Sequence, residues 1–505
     1  MNTMNRTVLL ALLAAIALPA AAQVHPAQRY VDQLAAEEPL HSAAWGVVAK
    51  DARGKVLVSL NPDQKLVPAS NMKLVTTGCA LHALGSSYRF ETKLGYSGEI
   101  RDGALEGDLY IIGGGDPTLA TADTIVMKTS ALFWKWKTAL RSAGIHAIHG
   151  RVIGDGRLFQ GNLENSSWEY NDLGTYYGAG GNGLSFYANA QDFSVSAGTK
   201  AGDPVRVAVK YPQTPWMHFA FRGTTEAAGT GNSLYMYTTD LAPYAEMRGT
   251  FALDRKPKTE HFANKFGAMT CAYYFWKSLT DSGWEVSGGY ADIDRGGYIR
   301  GADFVPAQLA TDTLRVIGST WSPTLDLIAR ETNCRSDNFY AETLLRTIGL
   351  KETGHVVYDS CQVAEKRVLE RLAADLSQGI VIEDGSGLSR HNHLSPDFFV
   401  RHLTAMRTSP AFPSFLASLP QPGGNGTLKG VLRDEPEEVK ARIRMKSGSM
   451  TGVLCYSGYI LPADWDPAKP AKGNIITFSI MTNNCDAPAS EVREKITKIV
   501  SLLAK

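Results

Sequence analysis

The amino-acid sequence predicts a mixed α/β (α+β) protein in which an antiparallel sheet flanked by helices carries a large, mostly-β insertion. Strand-like segments occur at both ends of the chain, over residues 43–63 and 440–484. Between them, residues 91–306 form short β-like runs separated by glycine-rich turns, and helical patterning returns at Ser322. One sheet that takes strands from both ends of a chain leaves the middle as an insertion.

Length and composition agree with this division. The chain has 505 residues, more than one ordinary hydrophobic core holds, so two or three domains are expected. It is 44% hydrophobic and 20% charged, which is typical of a globular protein. The formal net charge of +1 argues against nucleic acid as a partner, because phosphate-binding domains usually carry a clear basic excess.

The N-terminus has the pattern of a cleavable signal peptide over residues 1–22. Arg6 precedes a short apolar run, and the alanines at 20–22 provide a small-residue cleavage site before Gln23. The run is too short for a comfortable membrane-spanning helix, although an uncleaved anchor is the alternative. We expect no transmembrane helix in the mature chain. The six cysteines show no C-x-x-C spacing, so no zinc or thioredoxin-like site is predicted and their pairing stays open.

The sheet elements of the terminal regions follow from local patterns. Two apolar runs around the turn "DARG" (51–54) predict a hairpin, and "KARIRMKSGSM", "GVLCYSGYIL" and "NIITFSIMTNN" predict three further strands. These five strands are expected to form one antiparallel sheet. The last residues place Val492, Ile496, Ile499, Val500 and Leu503 on one helical face. We expect this helix to pack on the sheet, with binding to a membrane surface as the alternative.

The remaining helices follow from their caps. A helix is predicted from the Ser70 segment to Gly85, and a single helix, near 130–143, within the insertion. Ser322 followed by a proline predicts an N-cap. "TLDLIARETN" and "NFYAETLLRTIGL" predict two helices joined by the polar link "CRSDN". The aromatic run "SWEYNDLGTYYG" is expected to serve core and loop packing, with a glycan groove as the alternative.

Ser70 and Lys73 form the first candidate motif, S-x-x-K. A separation of three residues places both side chains on one face of a helix. Serine is a poor nucleophile unless a neighbouring base takes its proton, and lysine is such a base only when burial or nearby positive charge lowers its pKa. A surface lysine on a helix would give the same spacing, so the spacing alone does not distinguish a catalytic lysine from a surface lysine.

Two further motifs follow in the chain. Ser336-Asp337-Asn338 offers a hydroxyl that can relay a proton and an amide that can hold a lysine, although such residues also cap helices. Lys446 and the Ser447-Gly448 pair begin a predicted strand, where a peptide substrate could add to the edge and the lysine could bind a carboxylate. The glycine would let the substrate approach the backbone closely. A solvated lysine near a turn is the alternative.

The order S-x-x-K, S-D-N, K-S-G resembles the signature of penicillin-binding proteins and class A β-lactamases. The chain is similar to the D-alanyl-D-alanine carboxypeptidase/endopeptidase family, the class C low-molecular-mass penicillin-binding proteins of peptidase family S13. "GGGDPTL" (113–119), "DGSGLSRHN" (384–392) and "LPQPGGNGTL" (419–428) also resemble that family. The resemblance covers nearly all of the mature chain. It implies a transpeptidase-like domain over 23–90 and 307–505, and an insertion of two domains, one nested in the other.

The resemblance also implies the chemistry. Ser70 would attack the carbonyl of the penultimate D-alanine with Lys73 as base, Ser336 would pass a proton to the departing amine, and Asn338 would orient Lys73 and the substrate amide. The expected partners are peptidoglycan stem peptides and β-lactam antibiotics in the periplasm. No metal or cofactor is expected.

Substrate binding is implied in the same way. The backbone N–H groups of Ser70 and Ser449 would form the oxyanion hole, and Lys446 and Ser447 would bind the terminal carboxylate, next to Gly448. The family usually has threonine at 447, and the missing methyl is expected to weaken positioning of the hydroxyl.

Two other functions stay open from the sequence. One is a β-lactamase, although the chain has no obvious E-x-x-L-N deacylation motif. The other is a peptidoglycan-binding protein whose site has decayed. The balance of carboxypeptidase and endopeptidase action, the cross-link accepted and the oligomeric state are not determined by the sequence.

Overall fold

The computed structural model describes residues 24–159, 161–293, 298–301, 306–308 and 314–505. The predicted signal peptide lies outside this part of the chain. Within it, none of the helices combines the length and the apolar composition that crossing a bilayer requires. All six cysteines are free thiols, and four of them are buried.

Eleven α-helices occur in the described residues. In chain order they are α1 Pro26–Ala35, α2 Met72–Leu84, α3 Thr129–Ser142, α4 Gly267–Thr280, α5 Leu325–Arg335, α6 Asn338–Thr353, α7 Tyr358–Leu372, α8 Pro396–Met406, α9 Phe412–Ser418, α10 Glu437–Ala441 and α11 Ala489–Ala504.

The strands of the described residues belong to six sheets. In chain order they are β1 Ala44–Lys50, β2 Val56–Leu60, β3 Glu91–Tyr96, β4 Glu99–Arg101, β5 Ala104–Glu106, β6 Leu109–Ile112, β7 Ala147–Ile148, β8 Val152–Asp155, β9 Ala190–Ser196, β10 Arg206–Tyr211, β11 His218–Phe221, β12 Thr224–Glu226, β13 Tyr235–Thr238, β14 Tyr244–Arg248, β15 Thr250–Ala252, β16 Lys258–Ala263, β17 Glu285–Val286, β18 Tyr290–Ile293, β19 Tyr298–Gly301, β20 Pro306–Gln308, β21 Arg315–Trp321, β22 Ile443–Met450, β23 Val453–Ile460 and β24 Ile476–Asn483.

The expected five-stranded sheet is present, in the order β2-β1-β24-β23-β22, and all its pairs are antiparallel. Alternate residues of β23 enter two hydrophobic cores, one on each face. The core that contains α2 also takes residues from α5 to α9, and the opposite core is covered by α1 and α11. The apolar face predicted for α11 is buried on the sheet, as expected.

The insertion is built mainly from sheets. Its largest sheet has seven strands in the order β20-β19-β18-β8-β6-β3-β21, with both parallel and antiparallel pairs. The strands of residues 190–263, which lie between β8 and β18 in sequence, form three small sheets of their own. Strand β21 pairs with β3, although the sequence placed residues after 306 outside the insertion. We therefore use "inserted region" for residues 91–321.

The two connections to the inserted region are tied together at one point. The N–H of Phe90 donates to the Ser322 hydroxyl at 2.9 Å, and the N–H of Ser322 donates to the carbonyl of Phe90 at 2.9 Å. The prediction that Ser322 caps a helix was therefore wrong, and Thr324 stands at the N-cap of α5 instead. A serine hydroxyl can cap a helix, and it can equally accept a hydrogen bond from a buried backbone N–H. At Ser322 the long-range contact with Phe90 uses the hydroxyl.

The described residues of the inserted region contain two α-helices, whereas the sequence predicted one. The expected helix is α3, and the one that was missed is α4. Its centre, "YYFW" (273–276), consists of residues that favour strands. Buried packing of α4 on the seven-stranded sheet overrides that local preference.

Candidate active site

Ser70 and Lys73 meet at the start of α2. Ser70 lies in a 3₁₀ turn, Ala69–Asn71, that leads directly into the helix. Lys73 lies in the first turn of α2 and is completely buried. Its Nζ is 3.0 Å from the Ser70 Oγ. The S-x-x-K spacing therefore does bring the two side chains into contact, in a helix that enters the core.

The Lys73 Nζ has two other neighbours, and both only accept hydrogen bonds. It donates to the Asn338 Oδ1 at 2.6 Å and to the Ser386 carbonyl at 2.7 Å. Burial lowers the pKa of Lys73 to about 8, against the opposite influence of the Asp384 and Glu342 carboxylates. None of the three atoms that are hydrogen-bonded to Nζ belongs to a carboxylate. With a pKa of about 8, roughly a tenth of the amine is neutral at pH 7, far more than for a solvated lysine.

The S-D-N motif forms the link between α5 and α6. Ser336 has left-handed backbone angles, with φ 59° and ψ 41°, and Asp337 caps α6 by accepting from the N–H of Tyr340 at 3.0 Å. The Asn338 Nδ2 donates to the carbonyl of Tyr177, in the inserted region, at 3.2 Å. This bond turns the amide oxygen of Asn338 towards Lys73.

Lys446 approaches the same loop from β22. It is fully buried, and its Nζ donates to the Ser336 Oγ at 2.9 Å and to the Ser447 carbonyl at 2.6 Å. Burial, and the positive charge of Lys73, lower the pKa of Lys446. The solvated lysine that the sequence allowed here is therefore excluded.

The rest of the K-S-G strand lies next to Ser70. The Ser447 hydroxyl donates to the Thr427 Oγ1 at 3.2 Å, which restrains the rotamer that the missing methyl was expected to free. A Cβ on Gly448 would lie 2.9 Å from the Ser70 nitrogen, too close for any real contact. Glycine is needed here because β22 packs against the turn that carries Ser70, whereas from the sequence we expected the substrate to make this close approach. Ser449 is exposed next to it.

A cavity of about 770 Å³ opens at these residues, between the five-stranded sheet and the inserted region. Tyr176 and Tyr177 line it, so core and loop packing was the wrong expectation for this part of the aromatic run. Its Trp168 is buried and donates to the Asp384 carboxylate at 2.8 Å. The predicted site residues that line the cavity are Ser70, Ser336, Asn338, Ser447 and Ser449, while Lys73 and Lys446 are buried behind them.

Two contributions to the site were not assigned from the sequence. The motif at 384–392 folds around Asp384, which accepts from the N–H groups of Gly387 and Ser389, and so directs the Ser386 carbonyl at Lys73. The motif at 419–428 supplies Thr427. Both motifs were visible in the sequence, but a carbonyl's partner depends on the fold and no local pattern reveals it.

A buried lysine in contact with Ser70, a left-handed serine in an S-D-N loop and a K-S-G strand are together the arrangement typical of penicillin-binding proteins. The profile of the D-Ala-D-Ala carboxypeptidase 3 (S13) family matches residues 27–505, and the chain belongs to this family.

Known proteins resemble the chain over most of its length. The D-alanyl-D-alanine carboxypeptidase of Actinomadura sp. (strain R39) is 28% identical over 478 residues, covering 91% of this chain and 81% of that protein. The D-alanyl-D-alanine carboxypeptidase DacB of Haemophilus influenzae is 22% identical over 432 residues, covering 83% and 82%.

Solved structures show the same fold. The crystal structure of penicillin binding protein 4 (dacB) from Haemophilus influenzae superposes with a TM-score of 0.76 at 22% identity, covering 95% of this chain and 98% of that one. The same protein complexed with a β-lactam superposes with a TM-score of 0.72 at 21% identity, covering 94% and 98%.

Proposed function

We propose that the protein is a serine-type D-Ala-D-Ala carboxypeptidase and endopeptidase that acts on peptidoglycan stem peptides through an acyl-enzyme on Ser70. One observation carries the proposal. A neutral amine has two N–H donors and one lone pair, and the Asn338 Oδ1 and the Ser386 carbonyl take both donors of Lys73. The lone pair is then left for the Ser70 hydroxyl at 3.0 Å, which is the geometry of a general base.

The acylation step uses the remaining contacts. The Ser70 Oγ bonds to the substrate carbonyl carbon while its proton passes to Lys73, and the C–N bond breaks as Ser336 gives its proton to the departing amine. Lys446, 2.9 Å from the Ser336 Oγ, replaces that proton. After this step Lys73 holds the Ser70 proton and the proton supplied by Lys446 has left with the amine, so the positive charge has moved from Lys446 to Lys73. Water then hydrolyses the ester and releases Ser70.

The same residues orient the substrate. The backbone N–H groups of Ser70 and Ser449 face the carbonyl oxygen, where negative charge develops. Lys446 and Ser447 bind the terminal carboxylate. Because burial lowers the pKa of Lys446, an incoming carboxylate supplies the charge that favours its protonated form.

Substrate and location rest on the comparisons and on the N-terminus. The Actinomadura relative is a D-alanyl-D-alanine carboxypeptidase, and the Haemophilus structure holds a β-lactam. Together with the signal-like residues 1–22, they support stem peptides and β-lactams as ligands and the periplasm as the compartment.

Release of D-alanine from a purified pentapeptide tests the activity, with Ser70→Ala as the control. A penicillin should form a long-lived adduct, which peptide mapping by mass spectrometry should place on the peptide that contains Ser70. Rapid turnover of the penicillin would indicate a β-lactamase. No D-alanine release and no adduct would indicate a decayed, wall-binding protein.

Digestion of purified cross-linked muropeptides separates the two peptidase activities. Mass analysis of the products should show both loss of terminal D-alanine and cleavage of the peptide bridge. Loss of terminal D-alanine alone would remove the endopeptidase part of the proposal.

A further inference from the structure

The catalytic loop contains a residue in an unfavourable backbone conformation. Ser336 is not a glycine, yet its φ of 59° lies in the left-handed region. Such a conformation is unfavourable for a residue with a Cβ and persists only where the surroundings enforce it. Since Ser336 Oγ is the proposed proton donor, whatever enforces this conformation also sets the direction of the donor.

One neighbour of Ser336 is held from outside the loop. The guanidinium of Arg335 makes a two-pronged ion pair with Asp123, a residue of the inserted region whose side chain is only 6% exposed. The hydroxyl of Tyr340 also donates to the Asp123 carboxylate. Arg335 reaches Asp337 at 3.2 Å as well. Asp123 therefore connects the residue before Ser336 with the first turn of α6.

The segment that carries Asp123 is itself fixed. It continues from the "GGGDPTL" motif, in which the buried Asp116 accepts from the N–H of Thr118 at 2.8 Å and from its hydroxyl at 2.7 Å. The Leu119 carbonyl accepts from the N–H of Tyr187 at 3.0 Å. The Thr121 hydroxyl lies 3.4 Å from the hydroxyl of Tyr340. The motif and the residues that follow it, up to Asp123, thus connect the inserted region to the catalytic loop.

We propose that Asp123 is a positioning residue of the active site, which holds Ser336 in its proton-donating conformation by clamping Arg335. The proposal rests on the proposed function, because it concerns the proton given to the leaving amine. It assigns to the inserted region a part in catalysis, and to the "GGGDPTL" motif the part of presenting Asp123.

The proposal has a consequence that a purely structural role would not have. An amide substrate expels an amine, which must be protonated as the C–N bond breaks. A thioester substrate of the same acyl group expels a thiolate, which needs no proton. Misplacing the Ser336 hydroxyl should therefore slow the amide much more than the thioester, whereas general damage to the fold would slow both alike.

The test compares Asp123→Asn with a matched variant, Asp155→Asn. Asp155 also makes a two-pronged pair with an arginine, Arg157, and the exposures of the two pairs are the same, 6% for the aspartate and 41% for the arginine. The hydrogen bonds and the ion pair of the Asp155 side chain in the described structure are all with Arg157, outside the catalytic loop. Both variants are assayed for kcat/KM on an amide and on a thioester that share one acyl group.

For Asp123→Asn we expect a loss of about tenfold or more on the amide, since misplacing a catalytic group by 1 Å costs up to about 100-fold. The thioester should change by less than about threefold, and Asp155→Asn should leave both rates near wild type. Asp123→Glu should recover part of the amide rate. Equal losses on the two substrates, or no loss, would overturn the proposal.

Arg335→Lys provides a second variant in case Asp123→Asn does not fold. Lysine keeps the charge but cannot make the two-pronged pair, so the same amide-selective loss is expected. Acylation of the wild type shows whether a negative result refutes this proposal or the proposed function on which it rests. A wild type that is not acylated on Ser70 refutes the function, whereas an active wild type with an equally active, folded Arg335→Lys variant refutes only the role of the clamp.

Discussion

Two buried lysines, one on α2 and one in the inserted region, differ in the charge of the groups that contact them. Lys73, on α2, contacts only neutral oxygens of Ser70, Asn338 and Ser386. Lys265, in the inserted region, donates to the Gly178 carbonyl at 2.7 Å and is paired with the Glu164 carboxylate at 2.8 Å. Both side chains are excluded from water.

The difference shows that burial alone does not make a lysine a base. Burial lowers the pKa of both lysines, but at Lys265 the touching carboxylate of Glu164 favours the charged form. At Lys73 the carboxylates of Asp384 and Glu342 act only from a distance. Lys265 therefore holds the turn that follows Tyr177, while the neutral form of Lys73 has a lone pair available to the Ser70 hydroxyl.

The largest expected effect is that of Lys73→Ala on acylation. Loss of a general base typically costs about 10²–10⁴-fold, and here the nucleophile also loses its activating partner. Lys446→Ala should cost less, because it leaves the proposed base in place and removes only the proposed carboxylate binding and the proton supply to Ser336. Stopped-flow acylation by a penicillin measures both. Similar rates in the two variants would contradict the assigned roles.

Ser447→Ala should have the next largest effect. It removes the hydroxyl proposed to bind the carboxylate, and a hydrogen bond to a charged group contributes about 1.5–3 kcal/mol, which is roughly 10- to 150-fold in kcat/KM. Ser447→Thr should keep or improve D-alanine release. The kcat/KM of Thr427→Ala should lie between those of Ser447→Ala and Ser447→Thr, because loss of the Thr427 hydroxyl frees the Ser447 rotamer. If Ser447→Ala were as active as wild type, carboxylate binding by this hydroxyl would be wrong.

The pH dependence of acylation tests how the surroundings of Lys73 set its pKa. In the proposed mechanism the neutral form of Lys73 is the base. Since the pKa of Lys73 is about 8, the rate should rise with pH by about tenfold between pH 7 and 9 and then level off. Glu342 raises the pKa of Lys73, so Glu342→Gln should move the midpoint to lower pH. A pH profile of penicillin acylation measures both midpoints. A midpoint that rises in Glu342→Gln would refute this electrostatic account.

Lys265→Met should have the smallest effect on the chemistry. It leaves Glu164 without its partner, and breaking a buried ion pair costs about 3–5 kcal/mol of folding free energy. Acylation by the folded fraction should stay within about threefold of wild type, and its pH midpoint should not move. Denaturant unfolding and acylation of the same preparations test this. Adding Glu164→Gln should restore part of the stability.

Sequence reasoning succeeded where a pattern is local or cumulative. The strands of the five-stranded sheet, the apolar face of α11 and the S-x-x-K contact all follow from the spacing of residues along one element. It failed at α4, where aromatic residues that favour strands form a buried helix. It also failed at Ser322, whose hydroxyl was expected to cap a helix but accepts a hydrogen bond from Phe90.

The sequence by itself determined which side chains the active site has and on which elements they lie, because motif order and periodicity are properties of the chain. Only the tertiary structure decided the pKa values, the orientations and the partners of these side chains. The pKa of Lys73 depends on burial and on which oxygens touch its nitrogen. The direction of Asn338 depends on a carbonyl of Tyr177, and Arg335 pairs with Asp123, which lies 212 residues away in the chain. Such contacts join residues with no local relation, so only the folded chain defines them.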